Sequence, residues 1–353
     1  MAFDKRRQAM KLTKCLIVMA AATLVAGCAF MTKTTGPGKG ENWRALHLLN
    51  FTNDKALDQL GGKIPKLAEM GINVLVLEVD YSYDFKSHPE LRMDDYITAE
   101  GAKKFAGLCK KYDIRLIPQF QCLGHQSWAK NTFTLLTKYP ELDLTPGAFP
   151  GNEGLYCREW DVNNPRVYEL VFDLLDEIIV AFDADAIHVG MDEVFLLGSD
   201  KSPSTKGKNP AELFAKCVND MYGHIVKKRR CEMLMWADRF IDGNKYDLGK
   251  WEASQNGTAP SIDMVPKDII MCPWHYASRD SYPSIPMFLA KGFRVLPASW
   301  KDVEASQKLI HYSLGLKNPN MLGHCFTTWG EQGDDITAYP PMMAGMDVLR
   351  KRK

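Results

Sequence analysis

The 353-residue sequence has almost no net charge, no internal repeat, no low-complexity tract and no Cys-x-x-Cys pair. Lys and Arg number 44 against 43 Asp and Glu, a formal charge of +1. That balance removes any electrostatic reason to expect nucleic acid or an anionic surface as a partner. The basic terminus Arg350-Lys351-Arg352-Lys353 reads as a solvated helix end rather than a binding patch. Beyond residue 28 there are seven cysteines, at 109, 122, 157, 217, 231, 272 and 325. An odd number cannot all pair, and several fall in predicted strands or helices, where Cys behaves as a small buried hydrophobe. A bridge between Cys122 and Cys157 stays open as an alternative. No cluster has zinc spacing and the eight histidines are scattered, so neither a metal nor a cofactor is indicated. What is present is an ordinary apolar share of 46%. The chain is long enough for one barrel domain of about 250 residues.

The amino terminus is set apart from that domain. Lys5, Arg6, Arg7, Lys11 and Lys14 form a positive segment, and Cys15 to Ala26 is an apolar stretch of 12 residues. Such a stretch is too short to span a bilayer comfortably and suits an export signal. Val25-Ala26-Gly27-Cys28 then resembles a bacterial lipobox, in which Cys28 becomes the lipidated first residue. The alternative is an ordinary secretory signal with an incidental cysteine. The expectation is a signal peptide over 1–27, a lipidated and flexible tether over 28–42, and one domain over 43–353. It places the protein in a bacterial cell envelope, held at a membrane through a lipid anchor.

From there on, apolar runs alternate with helical patterns, the signature of a parallel α/β domain. Strands are predicted at 44–49, 73–79, 115–120, 186–190, 233–237, 269–273, 294–298 and 323–328. Helices are predicted at 56–70, 99–112, 165–182, 210–230 and 303–314. Eight strands in this alternation predict a closed (β/α)₈ TIM barrel, whose site is built at the C-terminal ends of the strands. The residues just past those ends include Asn50; Asp80 and Tyr81; Gln119, Gln121 and His125; and Asp192 and Glu193. The later strands add Trp236 and Asp238; Trp274, His275 and Tyr276; Ser299 and Trp300; and Trp329 and Glu331. Carboxylates, amides and four indoles at one rim suit a sugar. Flat aromatic faces pack on the C–H faces of a pyranose, and polar groups bond its hydroxyls.

The most informative segment is His188-Val189-Gly190-Met191-Asp192-Glu193. Two adjacent carboxylates stand where an apolar strand ends, and neighbouring residues there point in different directions. Paired carboxyls are the usual equipment for glycoside cleavage, one of them held protonated as the acid. A bare Asp-Glu pair also suits a helix start. The context decides between these readings. His188, Gly190, Asp192 and Glu193 match the His-x-Gly-x-Asp-Glu strand of the family 20 glycoside hydrolases, the β-N-acetylhexosaminidases, which the sequence resembles. Asp161-Val162-Asn163-Asn164-Pro165 resembles the Asn-Pro helix start of that family, and Ile114 to Pro118 with Gly124-His125 resembles its third strand and Gly-His loop. Trp43-Arg44-Ala45-Leu46 and Trp329-Gly330-Glu331 resemble its first and last strands.

The resemblance implies retaining hydrolysis of an N-acetylhexosamine-terminated glycan without an enzyme nucleophile, through an oxazolinium formed by the substrate's own acetamide. It implies Glu193 as general acid and base, and Asp192 as acceptor of the acetamide N–H. Tyr276 would donate to the acetamide oxygen and Arg44 would grip hydroxyls. Trp329, Trp236, Trp274, Trp300, Glu331 and Asp80 would contact sugar, with His125 and His188 supporting the acid. The sequence departs from the family where Ala45 and Leu49 replace a Gly and an Asp on the first strand. It departs again where Gln119 and Gln121 replace two acids on the third, and where the second strand reads Glu78-Val79-Asp80-Tyr81. A glycosidase acting on a different sugar, and a non-catalytic glycan-binding lipoprotein, are the alternatives.

Overall fold

The computed structural model describes residues 36–37, 40–331, 333 and 335–350. The signal segment, Cys28 and most of the tether lie outside the described residues. Eight parallel strands form the centre: β1 (Trp43–Leu48), β2 (Val74–Glu78), β3 (Arg115–Cys122) and β4 (Ala186–Gly190), then β5 (Glu232–Trp236), β6 (Ile270–Cys272), β7 and β8 (Gly323–Thr327). Strand β7 comes in two pieces, Arg294–Val295 and Ala298–Ser299. Its first piece pairs with β6 and its second with β8, while β8 pairs with β1, so the ring closes. The break falls at Pro297, which has no N–H to give to a ladder. This is the expected (β/α)₈ barrel.

Both faces of such strands are buried, so they read as unbroken apolar runs. Alternation within each run decides which side chain goes where. On β2, Val74 and Val76 point into the barrel, while Leu75 and Leu77 pack against the helices. Leu234 with Trp236 and Ile270 with Cys272 do the same on β5 and β6. Below this interior, Arg115 reaches Asp185 at 2.8 Å and Glu232 at 2.7 Å, and Arg294 also pairs with Glu232. These ions tie β3, β5 and β7 together at the N-terminal end of the barrel.

The outer helices begin where the capping chemistry says they should. Asn164 and Asn209, each followed by proline, accept from Arg166 N and Ala211 N and open α4 (Pro165–Ala181) and α5 (Pro210–Tyr222). Such caps are worth about 1 kcal/mol each. The predicted helix at 56–70 is instead two, α1 (Asp54–Gly61) and α2 (Ile64–Met70), separated at Gly62-Lys63 just ahead of Pro65. Four helices lie outside the predicted ranges, the short turns Thr134–Lys138 and Gly243–Tyr246 together with α6 (Ser284–Ala290) and α8 (Pro340–Arg350); α3 (Ala99–Lys111) and α7 (Val303–Gly315) fall within them. No described helix is long and apolar enough to cross a membrane. The seven cysteines among the described residues are buried and free. The alternative bridge does not form: Cys122 bonds Phe120 O and Cys157 faces Glu193 O.

Candidate active site

At the C-terminal rim the backbone is strained where the side chains matter. Asn50, Asp80, His125, Met191, Glu193 and Trp329 all have positive φ, following β1, β2, β3, β4 and β8. For residues other than glycine this region is sparsely populated and costs of order 1–3 kcal/mol, and it clusters at functional sites. The turn after β4 shows its use. Gly190 (φ 62), Met191 (φ 68) and Glu193 (φ 52) reverse the chain within four residues. As a result the consecutive side chains of Asp192 and Glu193 both enter one cavity of about 600 Å³. A Cβ on Gly190 would overlap Gln121 Oε1, so glycine is required there. Glu193 N donates to Asp238 Oδ2 at 2.9 Å, which pins the turn to the end of β5.

His125 stands over the acid pair. Its Nε2 lies 3.1 Å from Glu193 Oε2 and 3.5 Å from Asp192 Oδ2. The turn that presents it approaches closely: a Cβ on Gly124 would come 2.9 Å from Asp192 O. Asp192 Oδ1 accepts from Gln121 Nε2 at 2.8 Å. Burial opposes charge on both groups, but their mutual attraction prevails. The imidazole is held well above its ordinary range, chiefly by Asp192. The Asp192 carboxyl is held below its own range by the His125 charge and hydrogen bond and by the Gln121 amide. The pair is therefore an imidazolium and a carboxylate at neutral pH. One nitrogen and two carboxyl oxygens of His125, Asp192 and Glu193 come within 4.8 Å of one another, a spacing that suits a metal ion. A metal bound there would have to displace the proton that the His125 imidazole holds beside the two carboxyls.

Opposite walls carry different chemistry. From β6, β7 and β8 come Trp274 and Tyr276, stacked at 4.9 Å, with Trp300 5.5 Å from the tyrosine. Trp329 Nε1 donates to the Tyr276 hydroxyl at 2.7 Å, which leaves that O–H free to turn towards the cavity. From β2 come Glu78 and Asp80. The long segment 123–164 contributes Trp128 on a small hairpin, and Tyr156, whose hydroxyl is pushed up by burial and by the charge and hydrogen bonding of Glu193. Tyr156 lies 4.7 Å from Trp251 and 5.8 Å from Trp128, ring to ring, so an aromatic rim frames the mouth beside Glu193.

Of the expected site residues, Glu193, Asp192, Trp329, Tyr276, Trp274, Trp300, Asp80 and His125 line the cavity together. Four do not. Arg44 turns to the N-terminal end of the barrel, where it bonds Gly71 O, Asn42 O and Glu41. The reason is alternation: Trp43 and Ala45 face the interior, so Arg44 faces away. Glu331 is exposed beside Lys301 at 3.2 Å, past the Trp329-Gly330 turn. Trp236 points inward but one layer below the cavity, buried against His47 and His188. His188 is part of the same floor, its Nδ1 accepting from Gly190 N at 3.1 Å. Burial lowers it to about 3, so it stays neutral. Sequence reasoning missed Glu78, Tyr156 and Trp128. Glu78 was accessible from the two-residue spacing to Asp80, whereas no periodicity marks the two aromatics.

Residues 46–343 match the glycosyl hydrolase family 20 catalytic domain. Among curated proteins, the chain is 24% identical over 280 residues to beta-hexosaminidase subunit A2 of Dictyostelium discoideum, covering 73% of this chain and 47% of that protein. It is 22% identical over 196 residues to a lacto-N-biosidase of Bifidobacterium bifidum, covering 52% of this chain and 16% of that protein. The chain thus spans less than half the length of either relative. Among solved structures, the Flavobacterium johnsoniae chitobiase superposes with a TM-score of 0.63 at 18% identity, over 87% of this chain and 48% of that one. A Vibrio harveyi exo β-N-acetylglucosaminidase gives 0.56 at 15% identity, over 88% and 58%. With the family match running through nearly the whole barrel, the chain belongs to the glycosyl hydrolase family 20 catalytic domains.

Proposed function

We propose that this domain is an exo-acting β-N-acetylhexosaminidase that cleaves by substrate-assisted, retaining hydrolysis. The observation that carries the reading is the β4 turn, which delivers a charge-paired Asp192 and a neighbouring Glu193 into one aromatic-walled cavity. Glu193 protonates the glycosidic oxygen as the acetamide oxygen of the substrate attacks the anomeric carbon and the glycosidic bond breaks. Asp192, kept ionised by His125 and Gln121, accepts from the acetamide N–H as positive charge develops there. The Tyr276 hydroxyl, oriented by Trp329, donates to the acetamide oxygen. In the second half Glu193, now a carboxylate, takes a proton from water as that water attacks the same carbon and the acetamide is restored. Two inversions give net retention.

One observation supports a second reading, a glycosidase specific for a different terminal sugar. The β1 end presents Leu49 and Asn50 to the cavity, and Arg44 is turned away. A panel of chromogenic β-glycosides, with the anomer of the product followed by NMR, tests both. Release from 2-acetamido glycosides with retention supports the first, and preference for a sugar lacking the acetamide supports the second. The envelope location rests on the sequence alone: cleavage before Cys28 and its acylation would anchor the domain to a bacterial membrane.

A further inference from the structure

Two polar residues past the strand ends, Asp238 and His275, take no part in the chemistry above. Both act on one loop. Asp238 follows β5 and is fully buried with its neighbour Arg239. Its Oδ2 accepts from Glu193 N at 2.9 Å and from Arg239 Nε at 2.6 Å. Arg239 Nη2 then donates to Lys250 O at 2.6 Å, Trp251 O at 3.1 Å and Ala253 O at 2.8 Å. Its Nη1 reaches Val194 O at 3.4 Å, and the guanidinium lies 4.8 Å over the Phe195 ring. Asn256 Nδ2 adds a second bond to Val194 O, at 3.0 Å. From the other side, His275 Nδ1 and Arg279 Nη2 hold the Glu252 carboxyl at 2.7 and 3.1 Å. One guanidinium therefore joins the turn that presents Glu193 to the loop 250–253, which sets Trp251 in the aromatic rim.

A buried ion pair is a weak device for stability, since apolar side chains of similar size often serve as well or better. It is a strong device for geometry. A guanidinium holds its donors in a rigid planar fork, whereas an ammonium is a point charge on a flexible stem. Only the fork can span a carboxylate on one side and several carbonyls on the other. Burial raises the Asp238 carboxyl and the Arg239 charge holds it back, to about 6, so it is ionised at neutral pH. The acid needs such support. Glu193 has φ 52, a conformation that residues other than glycine keep only when their surroundings enforce it. On the far side of the same turn, Glu159 Oε1 accepts from Phe195 N at 2.5 Å and Leu196 N at 2.8 Å. Phe195 in turn packs 5.6 Å from Trp251, ring to ring. We propose that Asp238 and Arg239 are positioning residues that fix the strained Glu193 turn and lock it to the Trp251 loop, so that the proton donor and the rim beside it form one unit. The part that concerns the acid rests on the hydrolase reading of the cavity; the lock between the two segments does not.

Two measurements test it. Asp238→Asn leaves an oxygen for Glu193 N but removes the charge facing Arg239, and Arg239→Lys keeps a cation but loses the fork. Where Asp238→Asn fails to fold, Asp238→Asn combined with Arg239→Gln takes its place, because that pair leaves no uncompensated buried charge. The first measurement is hydrogen exchange by mass spectrometry at neutral pH. In each variant, peptides covering 193–196 and 250–253 are expected to exchange faster together, by about 10- to 100-fold, the range for a hydrogen bond to a charged group. Strands β1 and β2 are expected to be unchanged. Loosening of one segment without the other, or of neither, overturns the lock. The second measurement is steady-state kinetics on two substrates. One is a 2,4-dinitrophenyl 2-acetamido β-glycoside, whose leaving group needs little protonation. The other is a β1,4-linked N-acetylhexosamine disaccharide, whose leaving group needs much. A misplaced acid lowers kcat of Asp238→Asn on the disaccharide by about 10²-fold, with little change in KM and only a slight loss on the aryl glycoside. In a Glu193→Gln background the further loss from Asp238→Asn is expected to vanish, because both changes remove one function. Equal losses on both substrates, or losses that add fully to that of Glu193→Gln, would mark Asp238 as structural only and overturn the positioning role. A wild type that cleaves neither substrate overturns the hydrolase reading. The lock is then decided by exchange alone: joint loosening supports it, and separate loosening or none overturns it.

Discussion

Replacing His125 with alanine leaves Asp192 as a buried carboxylate with no cation beside it. His125 Nε2 sits 3.5 Å from Asp192 and 3.1 Å from Glu193, and Asp192 is 4% exposed. Breaking a buried pair by removing one partner costs about 3–5 kcal/mol, because the remaining charge is left uncompensated. Gln121 Nε2 still bonds Asp192 Oδ1 at 2.8 Å in the variant, so the expected loss is near the lower end, about 3 kcal/mol. The loss should depend on pH in a defined way. His125 is raised well above 6.5 in the folded protein, so its contribution is full below 6.5 and fades as pH rises through the raised value. Asp192 is lowered below 3.8, so its contribution is full above 3.8 and fades as pH falls through the lowered value. The difference between wild type and His125→Ala is therefore a plateau near neutral pH that narrows at both ends. Urea unfolding of the two proteins at a series of pH values measures it. A difference below about 1 kcal/mol at neutral pH, the size of an exposed pair, or one that does not change with pH, would refute the buried-pair argument.

Glu193→Gln should lower kcat by about 10²–10⁴-fold on glycosides with poor leaving groups, and by much less on aryl glycosides whose leaving group needs little protonation; similar, slight effects on both would show that Glu193 is not the acid. Gly190→Ala forces a side chain onto Gln121 at a positive φ, so a stability loss of at least about 2 kcal/mol is expected; calorimetry showing a neutral change would contradict the close approach. If Cys28 carries lipid, Cys28→Ser should leave the protein unprocessed or soluble, and detergent partitioning unchanged from wild type would remove the anchor.

Where burial on both faces dictated the pattern, the sequence could be read. Val74 to Leu77 and Ile270 to Cys272 are apolar throughout, and Ala186, Ile187 and Val189 around His188, because the barrel interior and the helix layer each take alternate residues. The β4 turn was legible because its chemistry is local: a glycine, two acids and the strand before them. Arg44 was misplaced because a shift of one residue reverses the face a strand residue presents, and the departure of Ala45 from the family pattern left that register unfixed. Glu331 follows two left-handed residues that swing it outward, which no periodicity encodes. Trp128 and Tyr156 come from segment 123–164, which folds on itself through contacts such as Arg158 with Asp143, Asn152 and Phe149 O. Long-range partners of that kind have no signature in local spacing.

The central claim is that the acetamide of the substrate, not a carboxylate of the protein, attacks the anomeric carbon. The direct measurement is inhibition by a thiazoline that mimics the cyclised intermediate, on wild type and on Asp192→Asn. The wild type should be inhibited competitively and far more tightly than it binds substrate, as intermediate mimics are when a site is built for them. Asp192→Asn should bind the thiazoline more weakly, because the carboxylate facing the acetamide nitrogen is gone. A thiazoline bound no better than substrate, or a covalent sugar trapped on Asp192 or another carboxylate by a 2-fluoro glycoside, would contradict the claim and assign the domain to conventional double displacement.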